Sequence, residues 1–101
     1  MAELNQFSEV YRQEAGEHLD AIEEAALALE QEPEDRDALD RLFRSMHTIK
    51  GSGSMFGFDA IAAFTHNVET MLDVARDGRI PVTRELIDAV LQSRDLIAAM
   101  L

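Results

Sequence analysis

The stretch of sequence that decides the fold runs from residue 35 to residue 53 and reads DRDALDRLFRSMHTIKGSG. Its apolar residues recur at steps of three and four, which is the spacing of one face of an α-helix. This stripe consists of Leu39, Leu42, Phe43, Met46, Ile49 and Gly53. Asp35 stands just before the stripe, where a side-chain oxygen caps the free backbone N–H groups of a helix. The pattern therefore predicts an amphipathic helix that begins after Asp35 and ends near Gly57.

The same spacing recurs in three more segments, which prolines and glycines separate. The first segment ends before Pro33, the third stops at Asp77 and Gly78, and the fourth opens near Thr83, after Pro81. Their stripes are Leu4, Phe7, Tyr11, Ala15, Leu19, Ile22, Ala26 and Leu29; Phe58, Ile61, Thr65, Val68, Leu72 and Ala75; and Leu86, Val90, Ile97 and Met100. Four amphipathic helices with short connections predict an all-α, antiparallel up-down-up-down four-helix bundle, because each stripe is buried only against its neighbours.

Composition sets limits on what the chain binds. A length of 101 residues is that of one domain, so we expect residues 1–101 to form a single unit. The net charge of -11 disfavours nucleic acid and anionic membrane surfaces, since both require clustered Lys and Arg. The chain has no cysteine, no N-terminal signal and no apolar run of the roughly 20 residues that a membrane helix needs. We therefore expect a cytoplasmic domain without membrane insertion, and the apolar residues 96–101 suggest that it belongs to a longer protein.

Two pairs of polar residues lie off the apolar stripes of the second and third helices. At about 100° per residue, His47 falls at the edge of the exposed face, and Lys50 is its neighbour one turn on. The third helix repeats this arrangement with His66 and Glu69. If the two helices are antiparallel neighbours, the four side chains converge on one partly exposed patch. A carboxylate bonded to one ring nitrogen leaves the other nitrogen's lone pair free, as a nucleophilic histidine requires, and Lys50 would offset negative phosphoryl oxygens.

Small residues follow the histidine at Gly51, Ser52 and Gly53. Each glycine costs about 1 kcal/mol relative to alanine in a helix interior, so we expect a reason for both. Small residues would leave the edge of the imidazole open to a second protein and would let the neighbouring helix come close. With Met55 and Phe56 at the end of the helix, Gly51 and Ser52 form a candidate docking surface beside His47.

Three segments resemble the phosphotransfer domain of CheA-type chemotaxis histidine kinases, which is a histidine-containing phosphotransfer (HPt) domain. They are HTIKGSG at residues 47–53, FGF at 56–58 and THNVE at 65–69, and the resemblance spans essentially the whole chain. By resemblance, His47 matches the phospho-accepting histidine, Lys50 the lysine beside it, and His66 and Glu69 the residues that hydrogen-bond around it. The family generally has a fifth helix after the four-helix core, so a bundle truncated before that helix is expected here.

The resemblance implies a phosphorelay carrier of two-component signalling. A histidine kinase domain would phosphorylate His47, and an aspartate of a response regulator receiver domain would then take the phosphoryl group. Since no ATP-binding domain is present, we expect a carrier rather than a complete enzyme. It would need no cofactor of its own, because the kinase domain would use ATP and the receiver would bring a divalent metal ion.

Other interpretations stay open at this point. The chain could be a free-standing HPt protein of a multistep relay, or a non-catalytic helical interaction module. A zinc site built from His47, His66 and Glu69 is disfavoured, since no His-Glu-x-x-His pattern occurs and Lys50 would place a cation beside the metal ion.

Overall fold

The computed structural model describes the backbone of residues 2–101 and the side chains of residue 6 and residues 8–101. It contains four helices: α1 (Ala2–Gln31), α2 (Arg36–Met55), α3 (Asp59–Arg76) and α4 (Arg84–Met100). No strand occurs within residues 2–101. The predicted all-α four-helix bundle is therefore confirmed. None of the described helices is long and apolar enough to cross a lipid bilayer.

The helix ends follow the capping rules that the sequence predicted. Asp35 and Thr83 are N-caps, and each side chain accepts a hydrogen bond from the backbone N–H three residues on, at 3.0 and 3.1 Å. Gly57 and Gly78 have φ values of +82° and +77°, in the left-handed region that favours glycine after a helix. The connections are short because each helix ends at one of these local signals, and consecutive helices consequently run antiparallel.

The four helices bury their apolar stripes against one another in a rod of 46 × 20 × 20 Å. Helix α2 packs on α1 and α3, while α4 packs on α1 and on α3. Each fully buried Leu, Ile or Val side chain contributes about 1.5–3 kcal/mol. The largest fully buried side chains are those of Tyr11, Ile22, Leu29, Leu42, Met46, Ile49, Ile61, Thr65, Leu72, Val90 and Ile97.

Most predicted stripe residues are buried, and Met100 is an exception. Its side chain is 38% exposed, because it lies at the end of α4 on the rim of an open groove beside Gly57 and Ile61. Phe43 and Phe58 are half-buried. The side chains of Leu4 and Phe7, which were assigned to the first stripe, lie outside the described residues.

Tyr11 fixes the position of α2 against α1. Its buried hydroxyl donates a hydrogen bond to the carbonyl of Ile49 at 3.2 Å, and its ring stacks on Phe58 with the centroids 4.6 Å apart. A Cβ atom at Gly53 would lie 2.9 Å from the Tyr11 hydroxyl oxygen. Close approach of a neighbouring helix is therefore the reason for glycine at position 53, as predicted.

Candidate functional site

His47 projects from the middle of α2, and its side chain is 59% exposed. The adjacent residue Met46 and the nearby Ile49 are fully buried, so the backbone that carries the imidazole is held by the core. The histidine thus lies at the solvent-exposed edge of a helix held by the core. This is the position that the rotation of about 100° per residue predicted.

Glu69 of α3 holds one side of the imidazole. Its Oε1 atom lies 2.9 Å from Nδ1 of His47, a typical length for a hydrogen bond to a charged acceptor. Because a carboxylate only accepts, Nδ1 carries the proton and donates it to this bond. In the neutral ring, Nε2 is then unprotonated and its lone pair is free to react.

Lys50 binds the other oxygen of the same carboxylate. Its Nζ atom lies 2.7 Å from Oε2, and the side chains of Lys50 and Glu69 are 25% and 13% exposed. At this distance the ammonium and the carboxylate form an ion pair. His47 and Lys50, three residues apart on α2, therefore share one carboxylate on α3.

The electrostatic balance at Glu69 favours its ionised form. Burial acts to raise the pKa of the carboxyl group, but the contacts with Lys50 and His47 outweigh it. The pKa of Glu69 consequently lies below its ordinary value. At neutral pH the group is a carboxylate that accepts the Nδ1 proton of His47.

His66 lies one turn before Glu69 on α3 and is exposed. Within the part of the chain that the structure describes, its side chain forms no hydrogen bond or ion pair, while its carbonyl accepts one from the Thr70 hydroxyl at 2.9 Å. The two carboxylate oxygens of Glu69 are already occupied by His47 and Lys50. The structure thus brings three of the four predicted side chains together, and the role of His66 stays a prediction.

The zinc site considered above requires His47, His66 and Glu69 to converge. Among the described residues, no three His, Asp or Glu side chains are grouped so that they could hold a metal ion. The position beside Glu69 is taken instead by the ammonium of Lys50, which repels a cation.

The candidate docking surface lies along α2 beyond the histidine. Gly51 is exposed, with open space where a Cβ would lie, so the predicted close approach of a neighbouring helix is wrong at this position. Met55 is 79% exposed, whereas Ser52 and Phe56 are half-buried and the Phe56 ring lies 5.8 Å from that of Tyr11. Gly51 and Met55 follow His47 at four-residue steps on α2 and are open to solvent, and the docking role of the four residues stays a prediction.

A second contact to the imidazole was missed by sequence reasoning, which assigned Phe43 only to the core stripe. The rings of Phe43 and His47 are nearly parallel, at 9°, with centroids 6.1 Å apart. The guanidinium of Arg76 lies 4.1 Å from the centroid of the Phe43 ring. The four-residue spacing of Phe43 and His47 on one helix was the available signal, since such residues are surface neighbours.

Known proteins with the same sequence pattern define the family. Residues 6–101 match the family model of the Hpt domain. The chain belongs to the Hpt domain family. It is 40% identical over 101 residues to the sensor histidine kinase CheAY of Helicobacter pylori and 38% identical over 92 residues to the chemotaxis protein CheA of Borreliella burgdorferi. These matches cover 100% and 91% of this Hpt domain, which spans 13% and 11% of the length of the two relatives.

Solved structures share the fold of this Hpt domain. The CheA phosphotransferase domain from Thermotoga maritima matches with a TM-score of 0.89 and 33% identity, covering 96% of this chain and 91% of that one. The phosphorylated P1 domain of CheA3, solved in complex with CheY6 from R. sphaeroides, matches with a TM-score of 0.85 and 27% identity, covering 98% and 75%. The resemblance to the phosphotransfer domain of CheA-type kinases is thereby confirmed.

Proposed function

We propose that this Hpt domain is a phosphorelay carrier in which Nε2 of His47 receives a phosphoryl group from a histidine kinase domain and passes it to a receiver aspartate. The observation that carries the proposal is the 2.9 Å hydrogen bond between Nδ1 of His47 and Glu69. It leaves Nε2 of an exposed ring as the nucleophile. The CheA relatives support a chemotaxis kinase as the protein of which this domain is part.

In the first transfer, the lone pair of Nε2 attacks the γ-phosphorus of ATP, which the kinase domain supplies. A nitrogen–phosphorus bond forms, the bond from phosphorus to the bridging oxygen breaks, and ADP leaves. The ring gains positive charge in this step while Nδ1 keeps its proton. The carboxylate of Glu69 stabilises that charge through the existing hydrogen bond. Phosphoryl transfer depends chiefly on positioning and charge, so a nucleophile on a rigid helix meets its main requirement.

In the second transfer, a carboxylate oxygen of the receiver aspartate attacks the phosphorus, and the nitrogen–phosphorus bond breaks. The electron pair returns to Nε2, and His47 is restored with its proton still on Nδ1 and hydrogen-bonded to Glu69. A divalent metal ion held by the receiver would offset the charge of the phosphoryl oxygens. The structural neighbour solved in complex with CheY6 supports a receiver as the partner.

Receiver docking is proposed at the surface of Gly51, Ser52, Met55 and Phe56. Its open glycine and its exposed methionine suit a small, transient contact of less than about 1,200 Å². Because the phosphoryl donor is ATP, we propose the cytoplasm as the compartment in which the domain works.

The proposal is tested by incubating the chain with a CheA-type kinase domain and ATP labelled at the γ-phosphate. We expect acid-labile, base-stable label on the wild-type chain and none on His47→Gln. His18→Gln, a change on α1, is the matched control and should be labelled normally. The bundle should stay folded, since the His47 side chain is largely exposed. Label retained on His47→Gln, or an acid-stable label, would refute the assignment.

The complete reading frame tests the larger context. In the two relatives, the matching domain makes up only 13% and 11% of the protein. This small share favours the proposal that the present domain is part of a kinase rather than a free-standing relay protein. A kinase domain encoded in the same frame is expected, and a frame that encodes only the bundle would favour the free-standing alternative.

A further inference from the structure

We propose that Phe43, held in place by Arg76, is a positioning residue that sets the plane of the His47 imidazole. The inference rests on the proposed phosphorelay function and adds to its site a contact made within α2 and supported from α3.

The hydrogen bond to Glu69 is not a complete restraint on the histidine. It fixes Nδ1, but a side chain that is 59% exposed still has room to rock about that one contact. The lone pair of Nε2 lies in the plane of the ring, so the direction of its attack turns with that plane. In-line attack on phosphorus therefore requires a second restraint that acts on the ring plane.

Phe43 supplies a flat surface with the required orientation. It lies one turn before His47, and the two rings are within 9° of parallel. Their centroid separation of 6.1 Å falls within the range of about 4.5–7 Å in which aromatic rings interact. The phenyl ring occupies space on one side of the imidazole, so it limits how far the imidazole tilts toward Phe43.

Arg76 holds the phenyl ring from the neighbouring helix. Its guanidinium carbon lies 4.1 Å from the ring centroid, well inside the 6 Å limit of a cation–π contact. The guanidinium is held in turn by Asp40, whose Oδ1 lies 3.4 Å from Nε. The backbone of Arg76 is tied to the start of α2, because its carbonyl accepts a 2.9 Å hydrogen bond from Arg36. Phe43 is thus constrained by groups at the end of the α2–α3 pair where α2 begins and α3 ends.

The experiment uses phosphoramidate, a small donor whose phosphorus–nitrogen bond breaks as Nε2 attacks and whose amine leaves as ammonia. This donor needs no protein docking, so its rate reports the nucleophile alone. Phe43→Leu keeps apolar bulk but removes the flat ring. We expect a loss of about 3- to 10-fold in the phosphorylation rate constant at saturating donor, less than the 100-fold that a 1 Å misplacement can cost. Phe64→Leu is the matched control, since Phe64 is a half-buried α3 residue without a ring or cation contact among the described residues. The phosphorylation rate constant of this variant should stay within about 2-fold of wild type.

Two changes at Arg76 separate positioning from mere stability. Arg76→Gln leaves both rings in place but removes the cation, and we expect it to slow phosphorylation, whereas Arg76→Lys should restore part of the rate. A structural role alone would lower the melting temperature without moving the rate constant of the folded protein. Wild-type rates in both Phe43→Leu and Arg76→Gln would overturn the inference. Label that persists on His47→Gln would instead overturn the proposed function, so the two failures are distinguishable.

Discussion

Gly51 and Gly53 lie two residues apart in α2, and alanine should have opposite effects on stability at the two positions. Alanine is favoured over glycine in a helix by about 1 kcal/mol. At Gly51 no atom lies within 4 Å of an added Cβ, so Gly51→Ala should stabilise the domain by about 0.5–1 kcal/mol. At Gly53 the added Cβ would lie 2.9 Å from the Tyr11 hydroxyl oxygen and 3.5 Å from the Phe58 carbonyl oxygen.

Tyr11 is unable to move aside without loss, since it is buried, stacked on Phe58 and hydrogen-bonded to Ile49. Overpacking costs about 1–3 kcal/mol, and loss of the hydrogen bond about 1 kcal/mol more. After the helical gain of about 1 kcal/mol, Gly53→Ala should destabilise the domain by about 1–3 kcal/mol. The two variants should therefore differ by about 1.5–4 kcal/mol.

Urea unfolding followed by circular dichroism measures this difference. In a domain of this size, 1 kcal/mol corresponds to a shift in melting temperature of about 4–8 °C. Tyr11→Phe removes the atom that the new methyl would meet, so Gly53→Ala should be less damaging in that background. Equal stability of the two glycine variants would refute the close approach at position 53.

Three further changes probe the site and its docking surface. Glu69→Gln should slow phosphorylation of His47 by about 10- to 100-fold, the scale on which orienting partners tune metal-bound histidines, and equal rates would show that Glu69 does not orient the ring. Gly51→Arg should block transfer to the receiver and leave the fold intact, because position 51 is exposed. Transfer at the wild-type rate would contradict an apolar docking surface. Loss of receiver binding at modest added salt would also contradict it. Because the pKa of Glu69 is lowered, its contribution to stability is complete above the unfolded value of about 4.3 and is lost as pH falls through the folded value. The stability difference between wild type and Glu69→Gln should thus shrink as the pH falls below that unfolded value, and a constant difference would argue against this ion pair.

The sequence by itself determined the helices and their ends. Periodic apolar residues, the caps at Asp35 and Thr83 and the glycines at 57 and 78 are local signals that act within about one helical turn. The exposed position of His47 followed from the same periodicity, because rotation along one helix depends only on residue spacing. The motif around His47 also indicated the family, which the Hpt match confirms.

Only the tertiary structure decided which side chains meet across helices. It assigned both oxygens of Glu69 to His47 and Lys50 and placed Arg76 over the ring of Phe43. Among the described residues, it left the side chain of His66 without a hydrogen bond or ion pair. It also separated the two glycines, one packed against Tyr11 and the other open. The physical reason is that contacts between helices depend on the relative rotation and axial register of the pair, which are set by the packing of the whole core rather than by spacing within either helix.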